Sequence, residues 1–567
     1  MSASDSWKLL VFRDGKSGRS GSKLLRELCR QTEEVLSLCD FTSRSAQEEL
    51  IEALLRSGEL ECALADQEQC ETQAATLAAL TDEFAAALIK KRQPNLASST
   101  RDALSGLAVP EQLTIAPPEG LCYYALHPLD YSDLLRDSAI EVPAAAVVGI
   151  RSIGTTLSAI VCAWLNLHGI PAERITVRPT GHPFDRSLSF DDKQQRWIAA
   201  CIQRAAHFFV VDEGPGLSGS SFLAVAEALE RAGVAPGQIT LLPSSSPDLG
   251  SLIASNAAQR WSRFRTLALQ PTRRIPQGAV EDISGGAWRK RVFASESQWP
   301  AVWSWTERKK YLSADGERVF RFDGHGHYGK TARQRSEVLA ECGWGPGVSS
   351  VGEGFSESPW LNGIRPSTAD REVLIQLARY CAFRAEYFAQ EPASQEALEE
   401  MTRVNLDRAL GVSIPISLPV ERTVIADARM MAHEWIRCTD GRLLKLDASS
   451  HGDDHFYPGP TDIAWDIAGA ITEWKLKGDD IDLLVSEYQR LSGDNVQSRL
   501  TCYLLAYCVF RLAFTTSAGL SVSDADERMR FEQEAETWRQ MLADCKSVRD
   551  FKGQAGKKNA GLVAAGI

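Results

Sequence analysis

One stretch, Ala205 to Gly233, restricts what this chain can fold into more than any other. An apolar run, His207 to Val211, stops at two adjacent acids, Asp212 and Glu213. A loop of small residues follows, Gly214 to Ser221, and then an amphipathic helix. The pattern predicts a buried strand of a doubly wound sheet, a tight loop and a helix N-terminus. Free N–H groups and the helix dipole at such an end favour a phosphate, and small residues let the backbone approach it. The acids can accept hydrogen bonds from sugar hydroxyls or hold water on Mg²⁺. Ser218, Ser220 and Ser221 surround Gly219 with hydroxyls. The stretch lacks the GxxxxGK[ST] pattern, so a nucleoside-triphosphate P-loop is not the explanation. The plain alternative is an ordinary strand–helix turn with solvated acids.

A second segment has the same design. Ala144 to Gly169 predicts a strand to Ile150, a turn from Arg151 to Gly154, and a helix opening with Thr155, Thr156 and Ser158. Arg151 can supply a charge-assisted contact to an anion. Between the two segments, Arg174 to Arg178 predicts a strand and Thr180 to Ser187 a mobile loop. Arg178, His182 and Arg186 are further candidate contacts, or surface residues.

Over roughly residues 120–255 these motifs resemble the type I phosphoribosyltransferases. The carrying residues are Val210-Val211-Asp212-Glu213 and Ser218-Gly219-Ser220-Ser221; the loop between them is one residue longer than usual, with Gly214-Pro215-Gly216 in place of apolar residues. The resemblance implies that 5-phosphoribosyl 1-pyrophosphate (PRPP) binds with Mg²⁺. Asp212 and Glu213 would be the catalytic acids on the ribose. Ser218, Gly219, Ser220 and Ser221 would hold the 5′-phosphate, and Arg151, Ser152 and Gly154 the pyrophosphate. It also implies a flexible loop near residues 180–187 and a base-like small molecule as acceptor.

At 567 residues the chain predicts three or four domains. The fold class expected is α/β and multidomain: an N-terminal α/β or helical unit, a doubly wound parallel-sheet domain, and a bilobal α+β domain whose resemblance follows from the residues below. The boundaries expected are 1–118, 119–255, a connector over 256–287, 288–550, and a flexible tail over 551–567. In the first unit, Ser6 to Arg13 predicts a strand; Leu24 to Leu38, Ala46 to Leu55 and Glu71 to Lys91 predict helices; Ala97 to Thr100 predicts an exposed break. The unit reads as a substrate hood or an interaction domain. Cys122 to His127 predicts the first strand of the parallel sheet, and Ile239 to Leu242 a later one. A net charge of −12 makes a nucleic-acid partner unlikely. No eighteen-residue apolar run predicts a membrane span, and MSASDSWKLL is not a signal sequence. Thirteen cysteines without CxxC pairs fit a reducing cytoplasm, with Cys29, Cys62 and Cys162 reading as core residues.

The second module begins near Trp288. Tyr311-Leu312 and Arg318 to Phe322 predict a hairpin around Asp315-Gly316. A helix ending at Gly343, helices over 369–391 and 395–410, a second hairpin (Glu434 to Arg437, Leu443 to Leu446), and helices over 462–470 and 480–515 follow. Asp427, His433, Asp447 and the segment from Gly459 to Ala468 resemble the aminoglycoside-phosphotransferase branch of the kinase-like fold. That resemblance implies ATP as a cofactor, with Asp427 orienting the attacking hydroxyl and His433 and Asp447 as metal ligands. Arg321 would stand where the family has its ATP-binding Lys, with Glu337 as its partner. Arg for Lys and His for Asn are departures from the pattern. His451-Gly452-Asp453-Asp454-His455 reads as a metal site or a solvated loop. Two readings stay open: a bifunctional transferase acting on small molecules, or a sensor that binds phosphoribosyl ligands on a degenerate kinase-like scaffold. A homo-oligomer is compatible with both.

Overall fold

The computed structural model describes residues 9–11, 16–269, 274–392, 394–453 and 459–544. The Ser6–Arg13 strand expectation falls largely outside them, as does the 551–567 tail. Leu9 and Val11 are buried against Trp303 and Phe531, and Leu10 exchanges two backbone bonds with the Asn405 side chain. The segment docks on the C-terminal half rather than in a sheet.

The N-terminal unit is helical: α1 (Gly21–Leu36), α2 (Arg44–Ala65), α3 (Glu71–Lys90) and α4 (Ser98–Ser105), framed by a two-stranded antiparallel ribbon of β1 (Ser17–Ser20) and β2 (Gln112–Ile115). Ser20 and Ser43 cap α1 and α2 by accepting from Lys23 N and Ala46 N. The break expected at Ala97 to Thr100 instead opens α4, entered through Ala97 in extended geometry.

The strand expected over Cys122 to His127 is not formed. Residues Glu119–Cys122 make a helical turn (α5), followed by α6 (Asp130–Asp137). An apolar run of this length fits either structure, and here Pro118 O collects Leu121 N and Cys122 N. The parallel sheet starts at β3 (Ala145–Ile150), then α7 (Ile153–Leu167), β4 (Ala172–Val177), the small hairpin β5 (Thr180–His182) and β6 (Asp185–Ser187), α8 (Asp192–Gln203), β7 (His207–Val211), α9 (Ser220–Arg231), β8 (Ile239–Leu242), α10 (Ala257–Trp261) and β9 (Arg265–Thr266). Its order is β4-β3-β7-β8-β9, all parallel. β9 extends the sheet past the boundary expected at 255.

Alternation explains why β3 and β7 read as unbroken apolar runs. Val147, Phe209 and Val211 share a core with α7 and the helices of the N-terminal unit. Val148, Phe208 and Val210 pack on the other face, with Phe222, Val225 and Leu229 of α9. Parallel strands covered on both faces have no polar side to show. The N-terminal unit therefore shares its core with the sheet: a Cβ on Gly58 of α2 would lie 2.2 Å from Thr156 Oγ1 of α7.

The second module opens earlier than Trp288, with β10 (Ala279–Asp282); the short α11 (Arg289–Val292) follows. β11 (Lys310–Ser313), β12 (Arg318–Phe322), β13 (Ser349–Gly352) and β14 (Phe355–Pro359) complete an antiparallel sheet of order β10-β11-β12-β14-β13, with α12 (Gly326–Glu341) between β12 and β13. The second lobe contains β15 (Gly363–Ile364), α13 (Arg371–Tyr387), α14 (Glu396–Leu410), β16 (Thr423–Ile425), the hairpin β17 (Trp435–Cys438) and β18 (Leu443–Lys445), β19 (Pro460–Asp462), α15 (Ala464–Glu473), α16 (Asp479–Ser492), α17 (Gln497–Ser521) and α18 (Ala525–Asp544). The single helix expected over 480–515 is two helices. Gly493 caps α16 in left-handed geometry, and Asp494 turns the chain by accepting from Tyr488 and Arg499. α17 is long and apolar enough to cross a membrane by length and composition; it is mostly buried, in a core with α15 and α18.

Candidate functional site

The sheet brings the first set of candidates to one place, the C-terminal ends of β3 and β7. Strand order reverses here, and open α/β sheets bind ligands at this point. Glu213 Oε2 accepts from Gly120 N at 2.7 Å. Asp212 offers its backbone oxygen to Tyr131 Oη at 2.6 Å, which leaves its carboxylate for the site. Both acids are partly buried. Burial raises Asp212 to about 7, and burial together with the neighbouring Glu119 raises Glu213 to about 8. Among the described residues neither forms an ion pair; Arg178 and Arg186 act on Asp212 only at longer range. Two acids without a basic partner fit a hard cation or a sugar diol.

The loops around them are tightly made. Gly149 and Gly154 let β3 and the start of α7 touch: a Cβ on Gly149 would meet Gly154 O at 2.3 Å, and one on Gly154 would meet Val211 O at 2.6 Å. Ser152, between them, is held at φ 103° and ψ −119°. L-residues seldom adopt this conformation, at a cost of about 1–3 kcal/mol. Gly219 caps α9 at φ 68°, and a Cβ there would come within 3.1 Å of Trp261 and Leu252. Ser218 and Ser220 both donate to Pro183 O, at 2.9 and 2.6 Å. The 180–187 segment is thus an ordered hairpin whose tip sits on the serine loop. Ser221 is partly buried on the same turn.

Arg151 is engaged elsewhere. Its guanidinium bonds Asp66 Oδ1 at 3.0 Å and Ala65 O at 2.8 Å, at the end of α2. Arg178 binds the same Asp66, at 3.0 Å from Nε. The N-terminal unit thus places a carboxylate on both arginines beside the strained turn. Sequence reading gave Asp66 no role, because nothing near it in sequence marks it. His182 is exposed, its Nδ1 accepting from Phe184 N, and Arg186 donates to Pro179 O.

The second set lines a cleft of ≈ 180 Å³ between the antiparallel sheet and the helical lobe. Arg321 on β12 donates to Asp447 Oδ1 at 2.7 Å, to Ser449 at 2.7 Å and to Asp323 at 2.9 Å. Lys310 on β11 reaches Asp447 Oδ2 at 2.6 Å. Lys310 and Arg321 hold Asp447 well below the usual carboxylate range despite its burial. Asp427 is fully buried. Tyr380 donates to its Oδ2, Arg384 stands 3.7 Å away, and Lys445 Nζ lies 3.2 Å from its Oδ1. Its backbone N–H is fixed by Asp466, as is that of Ala428.

Two expectations fail. Glu337 does not pair with Arg321: the inward face of α12 carries Ala332, Arg335, Ser336 and Leu339, so Glu337 points to solvent. His433 is not among the clustered ligand atoms. Its ring stacks on Trp288, 5.9 Å between centroids, because the turn at Ala432–Glu434 directs the following residue inward. Asp427, Glu434 and His451 are the group whose ligand atoms lie within 4.8 Å of one another. His451 belongs to the His/Asp loop flagged in the sequence; Asp453 of that loop pairs with Arg335, and Asp454 and His455 lie outside the described residues.

No family model matches the chain, and no curated protein matches it. Among solved structures it is similar to choline kinase LicA from Streptococcus pneumoniae, at 13% identity and a TM-score of 0.30 over 41% of this chain and 89% of that one. A choline/ethanolamine kinase family protein from Mesorhizobium loti gives 15% and 0.30 over 43% and 87%. An aminoglycoside phosphotransferase from Alicyclobacillus acidocaldarius gives 11% and 0.24 over 50% and 97%.

Proposed function

We propose that the α/β domain binds PRPP and transfers its ribose 5-phosphate to a base-like small molecule, and that the bilobal module binds a nucleotide. The observation that carries the first part is the pair Asp212 and Glu213. They follow the central strand at the switch point of the sheet, lack a basic partner among the described residues, and face a serine loop at a helix N-terminus. In this reading the acids hold the ribose hydroxyls. Ser218 to Ser221 and the first N–H groups of α9 take the 5′-phosphate. The 151–154 turn, with Arg151 and Arg178 released from Asp66, takes the pyrophosphate. Mg²⁺, when bound, adds positive charge to the leaving pyrophosphate. The C1′–O bond breaks towards pyrophosphate and a C1′–N bond forms, with the acids opposite the developing positive charge of the ribose. Pro183 and the hairpin that carries it exclude water from the centre.

Titration calorimetry with PRPP and Mg²⁺, followed by pyrophosphate release with a panel of bases, tests this. Binding that survives Asp212→Asn unchanged would sink the assignment.

The reading of the second module rests on Arg321, Lys310 and Asp447 meeting between two lobes. The alternative function, a regulatory protein that senses phosphoribosyl and nucleotide ligands, is favoured by one observation. Asp427 is fully buried with Tyr380 on one oxygen and Lys445 beside the other, so it does not stand open to an acceptor hydroxyl. Phosphate transfer from ATP to small alcohols separates the two: turnover abolished by Asp427→Asn supports a kinase, and ATP binding without turnover supports the sensor.

A further inference from the structure

We propose that Lys445 is a resident cation standing in for a divalent metal, so that the cleft binds a nucleoside polyphosphate free of metal. The inference rests on the reading of that cleft as a nucleotide site.

Asp427, Glu434 and His451 offer a compact donor set, the only one of its kind among the described residues. It already encloses a charge. Lys445 Nζ lies 2.9 Å from Glu434 Oε2, 3.0 Å from Leu446 O and 3.2 Å from Asp427 Oδ1. An ammonium has three N–H donors, and these three oxygens can use all of them. The side chain has no exposure. Two of the three oxygens belong to carboxylates, so the ammonium stands in an anionic setting. The second oxygen of each carboxylate also has a donor beside it. Arg429 Nε is 2.9 Å from Glu434 Oε1, and Tyr380 donates to Asp427 Oδ2.

The second place where a metal could be held is closed in the same way. Asp447 ends its strand at the mouth of the cleft with Lys310 on one oxygen and Arg321 on the other. A divalent ion is held by carboxylate, carbonyl and water oxygens. Here it would have to displace an ammonium or a guanidinium from each carboxylate it bound. The residues therefore do not fit a divalent ion. The cleft is lined by Lys310, Arg321, Arg365 and Arg429 beside Glu307, Glu434 and Asp447, and a free polyphosphate would exchange its oxygens for those of Asp447 on Lys310 and Arg321. The sugar and base would face Val319, Trp360 and Leu361.

The contrast inside one molecule sharpens the point. Among the described residues Asp212 and Glu213 have no ion-pair partner, whereas Asp427, Glu434 and Asp447 are each paired with a base. A metal should distinguish the two sites.

The test is ATP binding by calorimetry in EDTA and in excess Mg²⁺. The protein carries Asp212→Asn and Glu213→Gln, so the acids of the α/β domain do not contribute, and Arg321→Ala is added as the variant that assigns binding to the cleft. The expected result is ATP binding in EDTA that excess Mg²⁺ weakens at least about tenfold, because Mg²⁺ draws ATP into its own complex, and that is lost in Arg321→Ala. A parallel Mn²⁺ titration, read by water-proton relaxation, should show no ATP-dependent Mn²⁺ site. Lys445→Met should acquire one, together with Mg²⁺-dependent ATP affinity. If that variant does not fold, the comparison in the Lys445-containing protein still decides. ATP binding that Mg²⁺ strengthens or leaves unchanged, or an ATP-dependent Mn²⁺ site there, overturns the proposal. Absence of ATP binding in both media overturns the nucleotide reading, and this inference falls with it.

Discussion

Replacing Asp212 with Asn is expected to act in opposite directions on binding and on stability. In the ligand-free protein Asp212 and Glu213 hold their protons to about pH 7 and 8, well above the unfolded chain. An acid whose pKa is raised by folding makes the fold less stable as pH increases through that window. Thermal melts of the ligand-free protein should therefore fall between pH 5 and pH 8. Asp212→Asn should flatten the slope and add on the order of 1 kcal/mol at pH 8, while PRPP binding is lost. An unchanged slope contradicts the assignment of that strain to Asp212. At Asp66 the expectation is a gain. Asp66→Asn frees Arg151 and Arg178, and inorganic pyrophosphate should bind roughly tenfold more tightly; unchanged affinity would show that the arginines do not meet the anion. The acids and serines were legible because they interrupt apolar runs. Lys445 was not, since one charge inside Leu443–Leu446 looks like the outward residue of a half-exposed strand. Only the fold shows that it points inward, and the adjacent Glu434 was hidden by the more conspicuous His433.

At the scale of elements, the loop into α9 depends on one backbone conformation. Gly219→Ala places a Cβ against Trp261 at a left-handed φ, and a loss of about 1–2 kcal/mol is expected. Phosphate binding should fall with it, measured by denaturant melts and calorimetry on the same variant. A variant of wild-type stability and affinity would mean that the turn is not the cradle. The strands, helices and hairpins of the sheet were readable because period and punctuation agreed there. Three elements were not. The run Cys122 to His127 is too short for period to separate strand from helix. The join between α16 and α17 is made by Asp494 and its distant partners rather than by a proline. The strand at Arg265–Thr266 owes its assignment to the neighbouring β8, not to its own two residues.

At the scale of the whole molecule, the sequence suggested separable modules; the structure joins them through contacts such as Tyr328 to Glu59 and Lys330 to Glu49, and through one turn. Gly120 N is held by Glu213. Leu121 O accepts from His325 N at 3.0 Å, at the start of α12. Cys122 O accepts from Arg308, which also holds Asp323 O, and Tyr123 donates to Asp453 O at 3.0 Å. No local pattern could reveal this, because each partner lies far away in the chain. A Cβ on Gly120 would sit 2.8 Å from Glu213 Cδ, so Gly120→Ala must push the turn and the acid apart. Glu213, assigned above to the proposed first ligand, and the helix that walls the second cleft thus hang from consecutive peptide units. Any ligand that draws Glu213 toward itself moves a group whose position the second ligand also senses. Thermodynamic linkage then requires reciprocity: PRPP should change the affinity for ATP by the same factor by which ATP changes the affinity for PRPP. Calorimetry of each ligand in the presence of the other measures both factors, and in Gly120→Ala both should collapse to one. Unequal factors would break the linkage, and factors of one in the unsubstituted protein would mean that the turn joins the modules without conveying anything between them.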